Sequence, residues 1–414
     1  MEILVSRYKV DCSTALAKID SLADHLVKAK GELGHAMCLC TMPARKLIIR
    51  SVRNRHFLTV WPHDGHRHHY ACPFHRDEEE QLSTGGKSEP AVRELPEGFQ
   101  IAVDFPLGKV GRTAPLPDSN PGVPNSQAQA VSRTRMGLLG IVHYLWKESR
   151  LNQWGSRWTR NWWRVTQALL PVLEQGMLGD QRLTECLYLV PEANRERLNA
   201  IQSAWHGFAA RLKPGSEGRR FGVILGEAHA IQNSKFGYQL GLKHFDPFLY
   251  MTQELRGKLA TSYPKAYHRI GGKSGDRVVS ICLVELSRSG YLNVIDAALM
   301  ATSAQYIPID SSHEAVLAHQ LVAEKRSFIK PLTIRAGESA LPDFILTDTA
   351  PQFVLEVFGM STQAYIERKA QKMAIYKKEG TPVWSWDAER QPMQIPPLPA
   401  PLAALNIAGK GFTS

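Results

Sequence analysis

The sequence lacks an apolar run long enough to span a membrane, and its first residues lack the charged and apolar regions of a secretory signal. Cysteine is also scarce, with six residues in a chain of 414. Apart from one N-terminal group these cysteines are dispersed, which is typical of proteins in a reducing compartment. Together these absences predict a cytoplasmic protein with no membrane partner.

The nucleotide-binding motif of motor ATPases is also missing. The glycine-rich segment 270–275 lacks the G-x-x-x-x-G-K-[ST] spacing that cradles phosphates. We therefore do not expect this chain to be a motor, and an ATPase would have to be a partner protein.

Basic residues outnumber acidic ones. The formal net charge is +11 and the isoelectric point is near 9.3, which favours an anionic partner. Nucleic acid is the simplest such partner. We expect DNA and leave RNA open, because the phosphate chemistry of the two backbones is similar.

The length and patterning of the chain predict a multidomain α/β protein. Two stretches, 77–96 and 115–129, have the composition of linkers or surface loops. We predict four parts in chain order: an N-terminal module with a small zinc hairpin at 1–114, a helical middle domain at 130–215, a mixed α/β bridging segment at 216–305 and a C-terminal α/β domain at 306–395.

The helical middle domain is rich in tryptophan and arginine. Arginine beside tryptophan can clamp a phosphate and stack a base, which suits a nucleic-acid surface. The same spacing also suits tryptophans that seal a helical core beneath solvated arginines, and this second interpretation is the stronger one. The tryptophans are Trp154, Trp158, Trp162 and Trp163.

A group of cysteines and histidines near the N-terminus has the spacing of a zinc site. A C-x-C pair and an H-x-x-x-C pair flank a basic, strand-like hairpin. Four thiolate or imidazole ligands fill the tetrahedral coordination of Zn²⁺ and leave no position for a water, so a structural role is favoured. The predicted ligands are Cys38, Cys40, His68 and Cys72. The histidine remains ambiguous, because His66, His69 and His75 also lie within reach.

Two apolar, β-prone segments near the C-terminus each contain one acidic residue, Asp343 in 341–346 and Glu356 in 353–359. Since side chains alternate along a strand, one carboxylate from each of two neighbouring strands can converge on one point. A helix-spaced segment at 363–379 follows and contains several lysines. Two carboxylates with a nearby lysine are the parts of a metal-dependent phosphodiesterase.

This arrangement resembles the PD-(D/E)XK nuclease superfamily over residues 311–387. The resemblance implies a restriction-endonuclease-like core with the element order αβββαβ. Pro342-Asp343 matches the first motif, Glu356 matches the second acid, and Glu314 matches the glutamate of the first helix. The sequence departs from the motif at Phe358, which occupies the position of the expected lysine.

Members of this superfamily can supply the lysine from the following helix, where Lys372 is the preferred candidate and Lys369 the second. The resemblance implies that Asp343 and Glu356 bind Mg²⁺ or Mn²⁺ in a DNA endonuclease or nickase. Because of Phe358, the alternative is a catalytically inactive DNA-binding or assembly protein that acts with a partner enzyme.

The whole chain also looks like a bacterial family associated with plasmids and integrative conjugative elements. The features that carry this resemblance are the N-terminal cysteines, the tryptophan-rich segment and the C-terminal acids. It implies a mobile-element context and a DNA substrate, without specifying the reaction.

Overall fold

The computed structural model describes residues 1–402 except for 13–14, 16–18, 53–54, 62–63, 70–71, 73, 75–90, 96–97, 111–134, 216–217, 236, 273, 333–340, 360–361 and 393. The predicted linker 115–129 and most of the predicted linker 77–96 lie outside the described residues. Within the described residues the fold is mixed α/β, with nine α-helices and several sheets. None of the described helices combines the length and the apolar composition that crossing a bilayer requires.

The N-terminal part is an antiparallel sheet with the strand order β2-β1-β3-β4-β5. Its strands are β1 (Glu2–Val5), β2 (Tyr8–Asp11), β3 (His35–Cys38), β4 (Arg45–Val52) and β5 (Arg55–Val60). Helix α1 (Ala23–Glu32) buries Leu26 and Ala29. Because these residues are spaced three apart, they lie on one face of the helix. The predicted β4–β5 hairpin is confirmed.

The next sheet joins strands that are distant in sequence. Strands β6 (Val92–Leu95) and β7 (Gly98–Ile101) pair into the order β11-β10-β7-β6 with β10 (Gly176–Leu178) and β11 (Gln181–Arg182). Strand β8 (Gly108–Val110) pairs with a later strand that begins at Arg219. Residues 92–110 therefore pair with strands beyond the predicted boundary at 114. The division into four domains stays a prediction.

The middle region, which was predicted to be helical, contains four helices. They are α2 (Leu138–Glu148), α3 (Trp162–Gln175), α4 (Leu183–Cys186) and α5 (Leu198–Leu212), with the short strands β9 (Gln153–Trp154) and β12 (Leu187–Leu189). Trp154 and Trp162 are buried in the core, and Arg160 donates hydrogen bonds to backbone carbonyls. The sealing role predicted for the tryptophans therefore holds for Trp154 and Trp162, whereas Trp163 is 40% exposed.

Residues 219–302 form a closed barrel. Its strands are β13 (Arg219–Ser234), β14 (Gly237–Leu242), β15 (Phe245–Met251), β16 (Arg277–Leu286) and β17 (Leu292–Thr302), with α6 (Gln253–Ser262) and α7 (Pro264–Tyr267) between β15 and β16. The long strand β13 closes the barrel, because its first half pairs with β16 and its second half with β14. A bulge between Ala228 and Ala230 separates the two halves and bends the strand.

The C-terminal part has the element order αβββαβ. It consists of α8 (Ser312–Ala323), β18 (Phe328–Ile329), β19 (Phe344–Leu346), β20 (Val354–Phe358), α9 (Gln363–Glu379) and β21 (Val383–Asp387). The sheet has the order β21-β20-β19-β18-β9, in which β20 and β21 are parallel and the other neighbours antiparallel. The first strand of this unit is short, Phe328–Ile329, and ends directly before a lysine and Pro331, which has no N–H for a ladder.

Candidate functional site

Two carboxylates meet where β19 and β20 pair. The register places Phe344 opposite Leu355, so Asp343 precedes this pair on one strand and Glu356 follows it on the other. The Oδ2 atom of Asp343 accepts a 2.7 Å hydrogen bond from the backbone N–H of Val357. The two acids singled out by the sequence therefore lie at the same end of this strand pair.

Glu356 is buried and both of its carboxylate oxygens have partners. Lys372 Nζ donates to Oε2 at 2.7 Å, and the Tyr376 hydroxyl donates to Oε1 at 2.7 Å. Lys372 and Tyr376 are four residues apart on α9, which places both side chains on the face that covers β20. Helix α9 therefore supplies a cation directly to the second acid.

Lys369, the second candidate, lies elsewhere on the same helix. Its Nζ atom is 3.3 Å from Asp387 Oδ2 and 4.1 Å from the ring centroid of Phe358. Phe358 itself is buried in the position of the expected lysine. Of the two helix lysines, Lys372 is the one that contacts Glu356.

Glu314 lies in the first turn of α8, where the Ser311 side chain accepts a hydrogen bond from its backbone N–H. Its Oε2 atom is 2.7 Å from the Nζ atom of Lys330, and Lys330 also contacts Asp310 Oδ2 at 2.8 Å. Neither Lys330 nor Asp310 was predicted from the sequence. The available signal was a single lysine that ends the apolar run Phe328-Ile329 before Pro331.

Lys330 is held in place through its backbone. Its N–H donates to the Asn152 carbonyl at 2.8 Å, and Asn152 Nδ2 donates to the Lys330 carbonyl at 2.9 Å. Asn152 directly precedes β9, the strand that extends the C-terminal sheet at its β18 edge. A residue of the middle region therefore fixes the lysine that serves Glu314.

The acidic side chains are poorly solvated. Burial, reinforced by the charge of Glu356, raises the pKa of Asp343 to about 6, while Lys330 and Lys372 oppose this rise. Burial raises the pKa of Glu314 to about 7. Burial also raises the pKa of Glu356, and Lys372 opposes it. Carboxylates that resist ionisation because they are desolvated and close together favour the binding of a cation.

The oxygen donors present fit a hard divalent cation. Within the described part of the chain, the three carboxylates do not form a compact ligand group of the kind that the N-terminal cysteines form. Mg²⁺ commonly uses one or two protein carboxylates and completes its shell with water and phosphate oxygens. Asp343 and Glu356 supply that number of carboxylates, and Glu314 and Lys330 interact electrostatically with Asp343.

The N-terminal cysteines and histidine form a second, separate cluster. One ligand atom from each residue lies within 4.8 Å of the others, so the group could hold a metal ion such as zinc. Cys38 Sγ lies 3.4 Å from Cys72 Sγ, and Cys40 Sγ lies 3.3 Å from His68 Nδ1. The members are the four predicted residues, Cys38, Cys40, His68 and Cys72.

Backbone N–H groups also point at the sulfur atoms of this cluster. The N–H of His69 lies 3.4 Å from Cys40 Sγ, and the N–H of Phe74 lies 3.5 Å from Cys72 Sγ. Such contacts stabilise thiolates, the form that binds a metal. Of the alternative histidines, His75 and the side chain of His66 lie outside the described residues, and His69 is not in the cluster.

The fold and these two sites define a multi-sheet α/β protein. A Cys/His cluster lies in its N-terminal part, and a buried acid–lysine site lies in its C-terminal part. Residues 8–389 match the family described as Protein of unknown function (DUF1173), and the chain belongs to that family. No curated protein and no solved structure matches the chain significantly.

Proposed function

We propose that the protein is a metal-dependent DNA endonuclease or nickase of the PD-(D/E)XK type. The observation that carries this proposal is the juxtaposition of Asp343, just before β19, with Glu356 on β20 and Lys372 on α9 in an αβββαβ unit. The fold alone would not suffice, because function resides in the site.

Asp343 and Glu356 would hold Mg²⁺ or Mn²⁺ as oxygen ligands. A divalent cation bound there supplies a Lewis acid for the phosphate and lowers the pKa of a water molecule. Lys372 would orient the nucleophilic water or neutralise charge on the phosphate in the transition state. Tyr376 holds the Glu356 carboxylate in place through its hydroxyl group. Glu314 supports the site from α8.

Lys372 suits the role of the missing motif lysine. Phe358 cannot donate a proton or carry charge. Lys372 instead reaches the Glu356 carboxylate from helix α9. Lys369 is the second candidate, and its contact with Asp387 makes it the weaker one.

The rival function is a catalytically inactive protein that binds or assembles on DNA with a partner nuclease or ATPase. The specific observation in its favour is Phe358, whose buried ring fills the usual lysine position. Under either function we propose a cytoplasmic protein of a plasmid or conjugative element. This context is supported only by the sequence resemblance and by the net charge of +11.

We also propose that the Cys/His cluster binds one structural Zn²⁺. Three thiolates and one imidazole complete a tetrahedral shell without an open position for substrate. Cys38 ends β3, while His68 and Cys72 follow β5, so the ion would connect the two ends of the hairpin region.

Cleavage of DNA tests the nuclease. Supercoiled plasmid and single-stranded DNA are incubated with the wild-type protein and with Glu356→Gln and Lys372→Ala variants, each in Mg²⁺, Mn²⁺ or EDTA. We expect metal-dependent cleavage that falls by about 100-fold or more in both variants. Lys378→Ala is the matched control from an exposed position of the same helix and should retain most of the activity. If the wild type cuts neither substrate in either metal, the inactive binding protein becomes the better description.

A further inference from the structure

The strand connectivity of the β13–β17 barrel suggests which class of ligand the barrel binds. The strand order is β13-β14-β15-β17-β16 and back to β13, with β15 parallel to β17 and helices between β15 and β16. Numbered within the barrel, this is the order 1-2-3-5-4-1 of an OB barrel. Barrels of this type bind oligonucleotides or oligosaccharides on the face of their second and third strands, between the 1–2 and 4–5 loops.

The outer face of the third barrel strand, β15, carries aromatic side chains. Leu249 and Met251 point into the core, so strand alternation directs Phe248 and Tyr250 outward. Phe248 is 41% exposed, and Tyr291, just before β17, is 54% exposed. The rings of Tyr250 and Tyr291 meet edge to face at 5.3 Å. These three rings offer a platform on which bases can stack.

Polar groups continue this platform across the neighbouring strands. Tyr250 lies opposite Gln239 on β14 and opposite Asn293 on β17. The two residues donate and accept hydrogen bonds through their side-chain amides, which suits contacts with base edges. Gln239 and Asn293 therefore lie on either side of Tyr250, one on each neighbouring strand.

The two loops that flank this face are basic. The β13–β14 turn carries Lys235 and the β16–β17 turn carries Arg288, and both side chains are exposed. Residues 219–302 contain eleven lysines and arginines against six aspartates and glutamates. Cations at the ends of an aromatic platform are suited to the phosphates of a strand that crosses it.

We propose that the barrel face, defined by Phe248, Tyr250, Tyr291, Lys235 and Arg288, binds single-stranded DNA. A single strand is the fitting partner because exposed aromatic rings need unpaired bases, whose faces a duplex conceals. This binding site goes beyond the proposed nuclease, because it depends on the barrel and not on the acid–lysine site.

Fluorescence anisotropy with a labelled thymidine oligonucleotide of about 20 nucleotides tests this proposal. The measurement is made in EDTA, so that cleavage does not contribute. We expect the oligonucleotide to bind more tightly than a duplex of equal length, and Phe248→Ala and Tyr250→Ala each to weaken binding by about 5- to 100-fold. Tyr8→Ala is the matched control, because Tyr8 is a similarly exposed aromatic residue outside the barrel. Unchanged affinity in both barrel variants would overturn the proposal, as would tighter binding to duplex or to a uridine RNA.

A second measurement does not require the variants to fold. Photocrosslinking of the wild-type protein to an oligonucleotide that contains 5-iodouracil should label Phe248, Tyr250 or Tyr291, as read by mass spectrometry. Crosslinks confined to residues outside the barrel would contradict the assignment. If the barrel binds the strand but no DNA is cut, the nuclease proposal fails and the barrel face stands. If the barrel variants bind single-stranded DNA as tightly as the wild type and cut it equally well, the barrel proposal fails and the nuclease proposal stands.

Discussion

Lys330 carries a positive charge at a position where the residue is only 1% exposed. Removing an ammonium group from water costs several kcal/mol unless it is paired. Burial alone would lower the pKa of Lys330, but the carboxylates of Asp310 and Glu314 outweigh burial and hold it above its usual value. The lysine in turn keeps Glu314 from being a buried acid without a counter-ion.

Replacing Lys330 with methionine removes this charge while preserving the volume of the side chain. We expect Lys330→Met to lower the free energy of unfolding by about 3–5 kcal/mol, because Glu314 would remain buried without its cation. Urea denaturation at neutral pH measures the change. Lys378→Met, at an exposed position of α9, serves as the control and should stay within about 0.5 kcal/mol of the wild type. Equal denaturation midpoints for the two variants would show that the buried pair contributes no stability.

At the level of elements, helix α9 supplies Lys372 and Tyr376 to the acid–lysine site. It ends where Gly380 adopts a left-handed conformation, with φ of 65°, which glycine accepts without strain. The helix bounds, Gln363–Glu379, agree with the sequence prediction. Its orientation on the sheet is a tertiary property. Strand β21 lies beside β20, and its last residue, Asp387, forms a salt bridge with Lys369. On β20 itself, Glu356 forms a salt bridge with Lys372.

The N-terminal sheet depends on its own small core and on the Cys/His cluster. Cys38, Cys72 and Phe74 belong to that core, together with buried residues of β1, β4 and α1. Because a small core stabilises a domain weakly, a metal ion in this cluster would contribute much of the stability of the sheet.

Metal content is the measurement for this element. We expect about one zinc per chain in purified protein, and loss of that zinc in Cys40→Ser. A strong chelator should lower the melting temperature of the wild type, because the binding free energy is part of the folding free energy. Cys186→Ala is the control, since Cys186 is a buried cysteine in a different core. Retention of zinc in Cys40→Ser would exclude this cluster as the binding site.

At the scale of the whole molecule, the barrel lies between two cores. One core joins barrel residues to the C-terminal sheet, and the other joins them to the middle helices. A hydrogen bond from Asn152 to the Lys330 carbonyl also connects the middle region to the C-terminal sheet. The barrel face and the acid–lysine site therefore belong to parts of the chain that share a packed interior.

The net charge of +11 leads to a prediction about salt. Binding of single-stranded DNA should weaken as salt rises, with a logarithmic slope of about −0.7 for each phosphate that the protein neutralises. We expect Arg288→Ala to reduce the size of this slope by about 0.7, whereas Tyr250→Ala lowers affinity with the slope unchanged. Anisotropy titrations over a series of KCl concentrations measure both. A Tyr250→Ala variant that changes only the slope would contradict the stacking role of the tyrosine.

The sequence by itself predicted the local features that depend on short spacing. The β4–β5 hairpin and the α9 bounds could be read from neighbouring residues, because backbone geometry repeats over two to four positions. The C-x-C and H-x-x-x-C spacings identified the three cysteines of the cluster, whereas the histidine was left ambiguous. Strand and helix spacing identified Asp343 and Glu356 as isolated acids in two strands and Lys372 as a lysine on the following helix.

Only the tertiary structure decided which distant residues meet. Asn152 and Lys330 are 178 positions apart, and no local pattern links them. The closed barrel likewise depends on pairing β13 with β16 and β15 with β17, which the alternation of each strand does not specify. Alternation determines which face of a strand is buried, whereas the choice of partner strand depends on packing across the whole molecule. The buried lysine and the barrel face were therefore beyond what the sequence revealed.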